Sequence, residues 1–147
     1  MLEDQISTSN KENPTNIDLK DAKYATGRRK KSIARVWVKR GSGLFSVNGK
    51  KLSQYFRTIN HVDAVMRPLE ISKRQNEFDI KCTVKGGGAT GQTGAIILGI
   101  SRALIIIEPN LKKILKKEKL TNRDPRAVER KKYGRRKARR SFQFYKR

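Results

Sequence analysis

The sequence predicts a small α+β domain, one sheet with helices packed on one face, flanked by an acidic stretch and a long basic tail. Three observations predict it. Phe78-Asp-Ile-Lys-Cys-Thr-Val84 alternates apolar and polar residues, which places Phe78, Ile80, Cys82 and Val84 on one face of a half-buried strand. Directly after it, Ile97, Ile100, Leu104 and Ile107 recur at helical spacing and are expected to bury one stripe against a sheet. Finally, 36 Lys+Arg against 13 Asp+Glu leave a net charge of +23 on 147 residues, enough chain for one domain with appendages but not for two.

The elements follow in order. Residues 1–22 carry Lys11 and Lys20 against five carboxylates, with no aromatic and no periodicity, and are expected to be a disordered extension. Acids without arginine are the opposite of a mitochondrial transit peptide. Arg28-Arg-Lys-Lys31 leads into the first expected strand, Ile33 to Lys39, rich in β-branched and aromatic residues. Gly41-Ser-Gly43 turns the chain, Leu44 to Val47 begins a second strand, and Asn48-Gly49 is a turn signal. Leu52 to Phe56 reads as a short helix. Val62 to Leu69 is ambiguous, with Pro68 limiting any helix there.

After the 78–84 strand, Gly86-Gly-Gly-Ala-Thr-Gly-Gln-Thr-Gly94 opens the apolar helix, and Glu108-Pro109-Asn110 interrupts it. Asn110 is expected to N-cap a second helix with Leu111, Ile114 and Leu115 inward. Asp124-Pro125 is expected to start another, which Gly134 would stop. The compact domain is thus expected over 23–119 and the basic tail over 120–147.

Composition excludes several function classes. No unbroken apolar run approaches the ~20 residues of a membrane span. Cys82 is the single cysteine, so no disulfide framework exists, and a reducing, intracellular setting is expected. One histidine, His61, and one cysteine provide no zinc site. No nucleophile or carboxylate is tied to His61 by spacing, and Cys82 lies on an apolar strand face where a thiol is inert. Neither catalysis nor a cofactor is expected. So large a positive charge calls for a polyanion, and nucleic acid is the expected partner, with no membrane and no small-molecule substrate.

The glycine loop matches two phosphate-binding patterns poorly. Gly86, Gly88 and Gly91 fit G-x-G-x-x-G between a strand and a helix, but no second parallel strand with a terminal acid follows. As a P-loop it has Gln92 where the phosphate-binding lysine belongs. Two readings stay open: backbone N–H groups at a helix N-terminus that attract an RNA phosphate, or glycines used for a tight turn and close packing. The run from Glu129 to Arg147 mixes cations with Tyr133, Phe142, Phe144 and Tyr145. Cations neutralise phosphates and rings stack on unpaired bases, a mixture suited to an extension threaded through folded RNA.

Taken together, the motifs resemble the small-subunit ribosomal protein S9 family of the bacterial and organellar type. The matching blocks are Tyr24-Ala-Thr-Gly-Arg-Arg-Lys-Lys-Ser-Ile-Ala-Arg-Val36, Gly41-Ser-Gly43, Val47-Asn-Gly-Lys50, Tyr55-Phe56, Lys85-Gly-Gly-Gly88 and Gly91-Gln92. They continue with Gly99-Ile-Ser-Arg-Ala-Leu104, Arg123-Asp-Pro-Arg126, Glu129-Arg-Lys-Lys-Tyr-Gly134, Ala138-Arg-Arg140 and the terminal Lys146-Arg147. Each block is weak, but their order and spacing are specific.

The resemblance implies a fold like domain 2 of ribosomal protein S5 and a structural, non-enzymatic role in translation. It implies a place in the head of the small ribosomal subunit, among neighbouring head proteins. The ribosome would be that of the bacterial cytoplasm or, alternatively, of a mitochondrion or other organelle. In the body, rRNA contacts are expected from Arg28, Arg29, Lys30, Lys31, Arg35, Lys85, Gly86, Gly87, Gly88 and Gln92. The tail would add Arg123, Arg126, Arg130, Lys131 and Lys132, with Arg135, Arg136, Lys137, Arg139 and Arg140 holding it in rRNA. Lys146 and Arg147 would meet the P-site tRNA backbone by charge-assisted hydrogen bonds. One departure is Tyr145, which stands where the family usually has serine. Two other classes compete: a DNA-compacting basic protein, against which no groove-reading helix or dimerisation heptad is seen, and a nucleotide-binding enzyme resting on the glycine loop.

Overall fold

The computed structural model describes Ile17 and residues 19–145. The expected disorder of 1–22 therefore falls largely outside the described residues. Ile17, within that stretch, is buried.

A five-stranded sheet runs in the order β1-β2-β5-β3-β4. Its strands are β1 (Lys23–Arg29), β2 (Ser32–Arg40), β3 (Phe45–Val47), β4 (Lys50–Lys51) and β5 (Phe78–Lys85). The helices are α1 (Leu52–Tyr55), α2 (Ile59–Ile71), α3 (Ala89–Ile107) and α4 (Leu111–Lys117). β1 and β2 form a hairpin with Arg29 opposite Ser32, so Lys30 and Lys31 are its turn and Lys30 takes a positive φ of 52°. β2 pairs antiparallel with β5, while β3 pairs parallel to β5. The expected β5 alternation holds: Phe78, Ile80, Cys82 and Val84 are buried. They join Ala34, Val36 and Val38 of β2 beneath α3 in one core.

Five expectations need correction. Arg28-Arg-Lys-Lys31 does not precede the first strand, because Arg28 and Arg29 end β1. That strand carries no apolar signal because α3 comes too close for side chains: a Cβ on Gly27 would overlap the Ala95 carbonyl oxygen and sit 2.6 Å from the Gly99 nitrogen. Pro68 lies inside α2 rather than ending it. Its ring is buried, and Ser72 Oγ donates to the Pro68 and Leu69 carbonyls at the helix end. Asn110 makes no side-chain cap; the α4 start is held instead by Leu111 N–H to the Glu108 carbonyl and Lys112 N–H to the Pro109 carbonyl.

Residues 123–132 form no helix. Asp124 accepts the Arg126 backbone N–H, as a cap would, but the Arg126 guanidinium also closes on it and no helical turn follows.

The fifth correction concerns α3, which buries more than one stripe: Ile96, Leu98, Ile100, Ala103 and Leu104 are buried, while Ile97 and Ile107 are half-buried. By length and hydropathy α3 suffices to cross a bilayer, contrary to what unbroken runs suggest, yet 56% of its apolar window is buried inside the domain. It is the core helix.

Candidate nucleic-acid interface

The glycine turn sits where β5 hands over to α3. Gly86 and Gly87 both take positive φ, 73° and 66°, a conformation glycine enters without penalty. Their neighbours are also too close for side chains. A Cβ on Gly86 would lie 2.6 Å from the Lys31 carbonyl oxygen, and one on Gly87 would overlap Ser32 Oγ. The turn of the β1–β2 hairpin is therefore pressed against the glycine turn, and Lys30, Lys31 and Lys85, all exposed, stand around the α3 N-terminus. Gly88, the α3 N-cap, is exposed and faces open space. Of the two readings of the loop, packing accounts for Gly86 and Gly87, and Gly88 leaves the helix N-terminus open to an anion.

Gln92 has another task. Its Nε2 donates to the Gly86 carbonyl at 3.2 Å, and its Oε1 accepts from the Tyr55 hydroxyl at 2.9 Å. Asn48 joins the same chain: its Nδ2 donates to Tyr55 Oη, while its amide pairs both ways with the Val84 backbone. Asn48 and Gly49 both have positive φ, the mark of a type I′ hairpin turn, so the expected turn also fastens β3 to β5. The sequence marked Asn48 only as a turn residue, and its bracing role needed the partner strand to become visible.

On the other side of the hairpin, Arg29 Nη2 lies 3.2 Å from Asp124 Oδ2, and Arg126 Nη2 lies 2.8 Å from the same oxygen. Hydrogen bonds from the Arg126 side chain and backbone, with both guanidinium charges, hold the Asp124 carboxyl well below the usual carboxylate range. The start of the C-terminal segment is thereby tethered to β1. The structure thus brings together Arg28 to Lys31, Lys85 to Gly88, Gln92 and Arg126 at one end of the body. Arg35 stands on the open face of β2, and Arg123 is exposed.

Beyond the tether the tail contacts are local. Glu129 accepts from Lys132 and from Arg139 Nε at 2.9 Å, which lowers its carboxyl pKa. Arg130 Nη1 donates to the Lys131 carbonyl, and Arg135 Nη1 to Ser141 Oγ at 2.6 Å. Arg136 N–H bonds the Arg140 carbonyl at 2.7 Å, closing a small loop that carries Lys137 and Arg139. Tyr133 and Phe144 are fully exposed. Lys146 and Arg147 lie outside the described residues.

Among the described residues no group of acids, histidines or cysteines has metal-site geometry. His61 packs against the Phe56 ring at 5.9 Å. Burial pushes the Cys82 thiol far above its usual pKa, so it stays protonated.

The family described as Ribosomal protein S9/S16 matches residues 27–147. The chain belongs to this family. It is therefore a member of a ribosomal-protein family. It is 53% identical over 131 residues to "Small ribosomal subunit protein uS9m" of Arabidopsis thaliana, which covers 89% of this chain. The chain spans 30% of that relative's length. The family match begins inside β1 and runs through the glycine turn, the tether and the tail.

Proposed function

We propose that this chain is a structural constituent of the small ribosomal subunit, bound to small-subunit rRNA in the head, with its C-terminal tail reaching the P-site tRNA. The body, 23–119, is an α+β unit of the kind the S5 domain 2 resemblance implies. Residues 120–147 are its rRNA-threading extension, ending on Lys146 and Arg147 at the tRNA, and 1–22 is an N-terminal extension. One observation carries the rRNA reading: the basic hairpin turn, the open α3 N-terminus and the tethered start of the tail converge at one end of the body. Cations there and along the tail would neutralise phosphates by charge-assisted hydrogen bonds. Family membership favours a bacterial or organellar ribosome over DNA compaction.

The test is deletion of 135–147 in the assembled subunit. The body is expected to stay folded and to sediment with small subunits, while P-site tRNA dissociates faster. For free rRNA, each lost phosphate contact should flatten the slope of log K against log salt by about 0.7–0.9. Unchanged tRNA dissociation removes the tail's proposed role. Failure of the full chain to sediment with small subunits removes the whole reading.

A further inference from the structure

We propose that the sheet face turned away from α3 is a second RNA contact, a stacking platform for an unpaired base built by Tyr24, Trp37 and Arg35. The proposal rests on the reading of the chain as an rRNA-binding protein and adds a site to it. Strand alternation sends every buried side chain of β1, β2 and β5 toward α3, which leaves the other face without a helix. Across that face the register aligns Tyr24, Trp37 and Lys81 in one row, and Arg28, Ile33 and Lys85 in another.

The Tyr24 and Trp37 rings lie 5.3 Å apart at 43°. The Arg35 guanidinium sits between the two rows, 5.1 Å from the Trp37 centroid and 5.7 Å from that of Tyr24. Tyr24 is 44% exposed and Ile33 43%, so the domain leaves an aromatic and apolar surface uncovered.

Charge decides the occupant. Among the described residues none of Arg28, Arg35, Lys81 and Lys85 has a carboxylate partner. The single carboxylate on this face of the three strands, Asp79, is taken by the backbone N–H groups of Ser42 and Leu44 at 2.8 and 2.9 Å. Rings among unpaired cations match a single-stranded segment, whose base stacks on a ring or on the guanidinium plane while flanking phosphates meet the cations. A paired helix hides its base faces and would leave the rings unused.

Trp37 is the only tryptophan, so its fluorescence reports the platform without any substitution. The full chain is titrated with a labelled oligoadenylate, reading the label's anisotropy for binding and Trp37 emission for stacking. Binding accompanied by quenching is expected. Tyr24→Ala with Arg35→Ser should abolish most of the quench and weaken binding roughly 5- to 150-fold, with the circular dichroism unchanged.

Binding with unchanged Trp37 emission overturns the platform and leaves the general RNA reading standing. No binding overturns both. Trp37 emission that changes only when other small-subunit proteins are added, and not with RNA, assigns the face to a protein and also overturns the proposal.

Discussion

The body and the tail are both rich in cations, yet Glu108 and Glu118 of the body join distant elements and its phenylalanines pack in the core, whereas from Glu129 onward the tail's acid pairs locally and its rings are exposed. In the body, carboxylates clamp elements together. Glu108 takes Arg40 at 3.5 Å and Arg74 at 3.2 Å, joining β2, the end of α3 and the approach to β5, while Glu118 takes Arg67 across α2 and α4. Phe56 and Phe78 are buried in the core. In the tail, Glu129 serves two cations within ten residues of itself, and Tyr133, Phe142, Phe144 and Tyr145 are exposed. Burial of apolar area at about 25 cal/mol per Å² is the main term holding the body together, and the tail lacks it. The difference teaches that the body folds on itself while the tail leaves its rings and charges exposed, as the proposed RNA contact requires.

The largest expected effect breaks the body at its tightest contact. Gly27→Ala forces β1 away from α3 and should destabilise the domain by about 1–3 kcal/mol or more. Gly88→Ala meets open space and should cost no more than about 1 kcal/mol, the preference of an N-cap for glycine over alanine. Denaturant unfolding of both variants checks the contrast, and equal losses would show that close packing is not what Gly27 supplies.

A smaller effect, of the opposite kind, is expected in the tail. Phe144→Ala should leave stability within about 0.5 kcal/mol, because the ring touches nothing it could destabilise. It should weaken rRNA binding by about 1–3 kcal/mol if the ring stacks on a base. A melting shift without a binding loss would contradict the division between the two regions.

The smallest effect lies at the junction. Asp124 has a depressed folded pKa, so its contribution to the tether is complete above the unfolded carboxylate value of about 3.9 and is lost as pH falls through the lower folded one. The Arg126 amide resonance should therefore hold its hydrogen-bonded shift through pH 3.9 and move only below it. A midpoint at about 3.9 would mean that the tether does not form in solution.

Much of the body was legible because its signals are local. The alternation of Phe78 to Val84 and the Asn48-Gly49 turn each depend on residues a few positions apart and appear where expected, while the apolar helix is present but starts at Ala89, inside the glycine stretch. The missed elements depend on distant neighbours. β1 carries no strand signal, and its Arg28 and Arg29 read as a basic run ahead of the first strand, because Ala25 and Gly27 are small for the sake of α3, which follows some sixty residues later. The helix expected from Asp124 does not form: Asp124 takes the Arg126 N–H as a cap would, but its oxygens also hold the Arg126 and Arg29 guanidinium groups, and Arg29 comes from another part of the chain. Of the candidate site, the cations were visible one by one, and their company was not.

The sequence by itself determined the charge, the strand and helix periodicities, the glycine punctuation and the order of motifs that marks the family. Those are properties of composition and of spacing along the chain. Only the tertiary structure decided that the hairpin turn presses on the glycine turn, that Gln92 braces this corner, and that Tyr24, Trp37 and Arg35 share an open face. Strand register and helix packing set those contacts, and both are chosen by the fold as a whole, where burying the core residues outweighs any local preference.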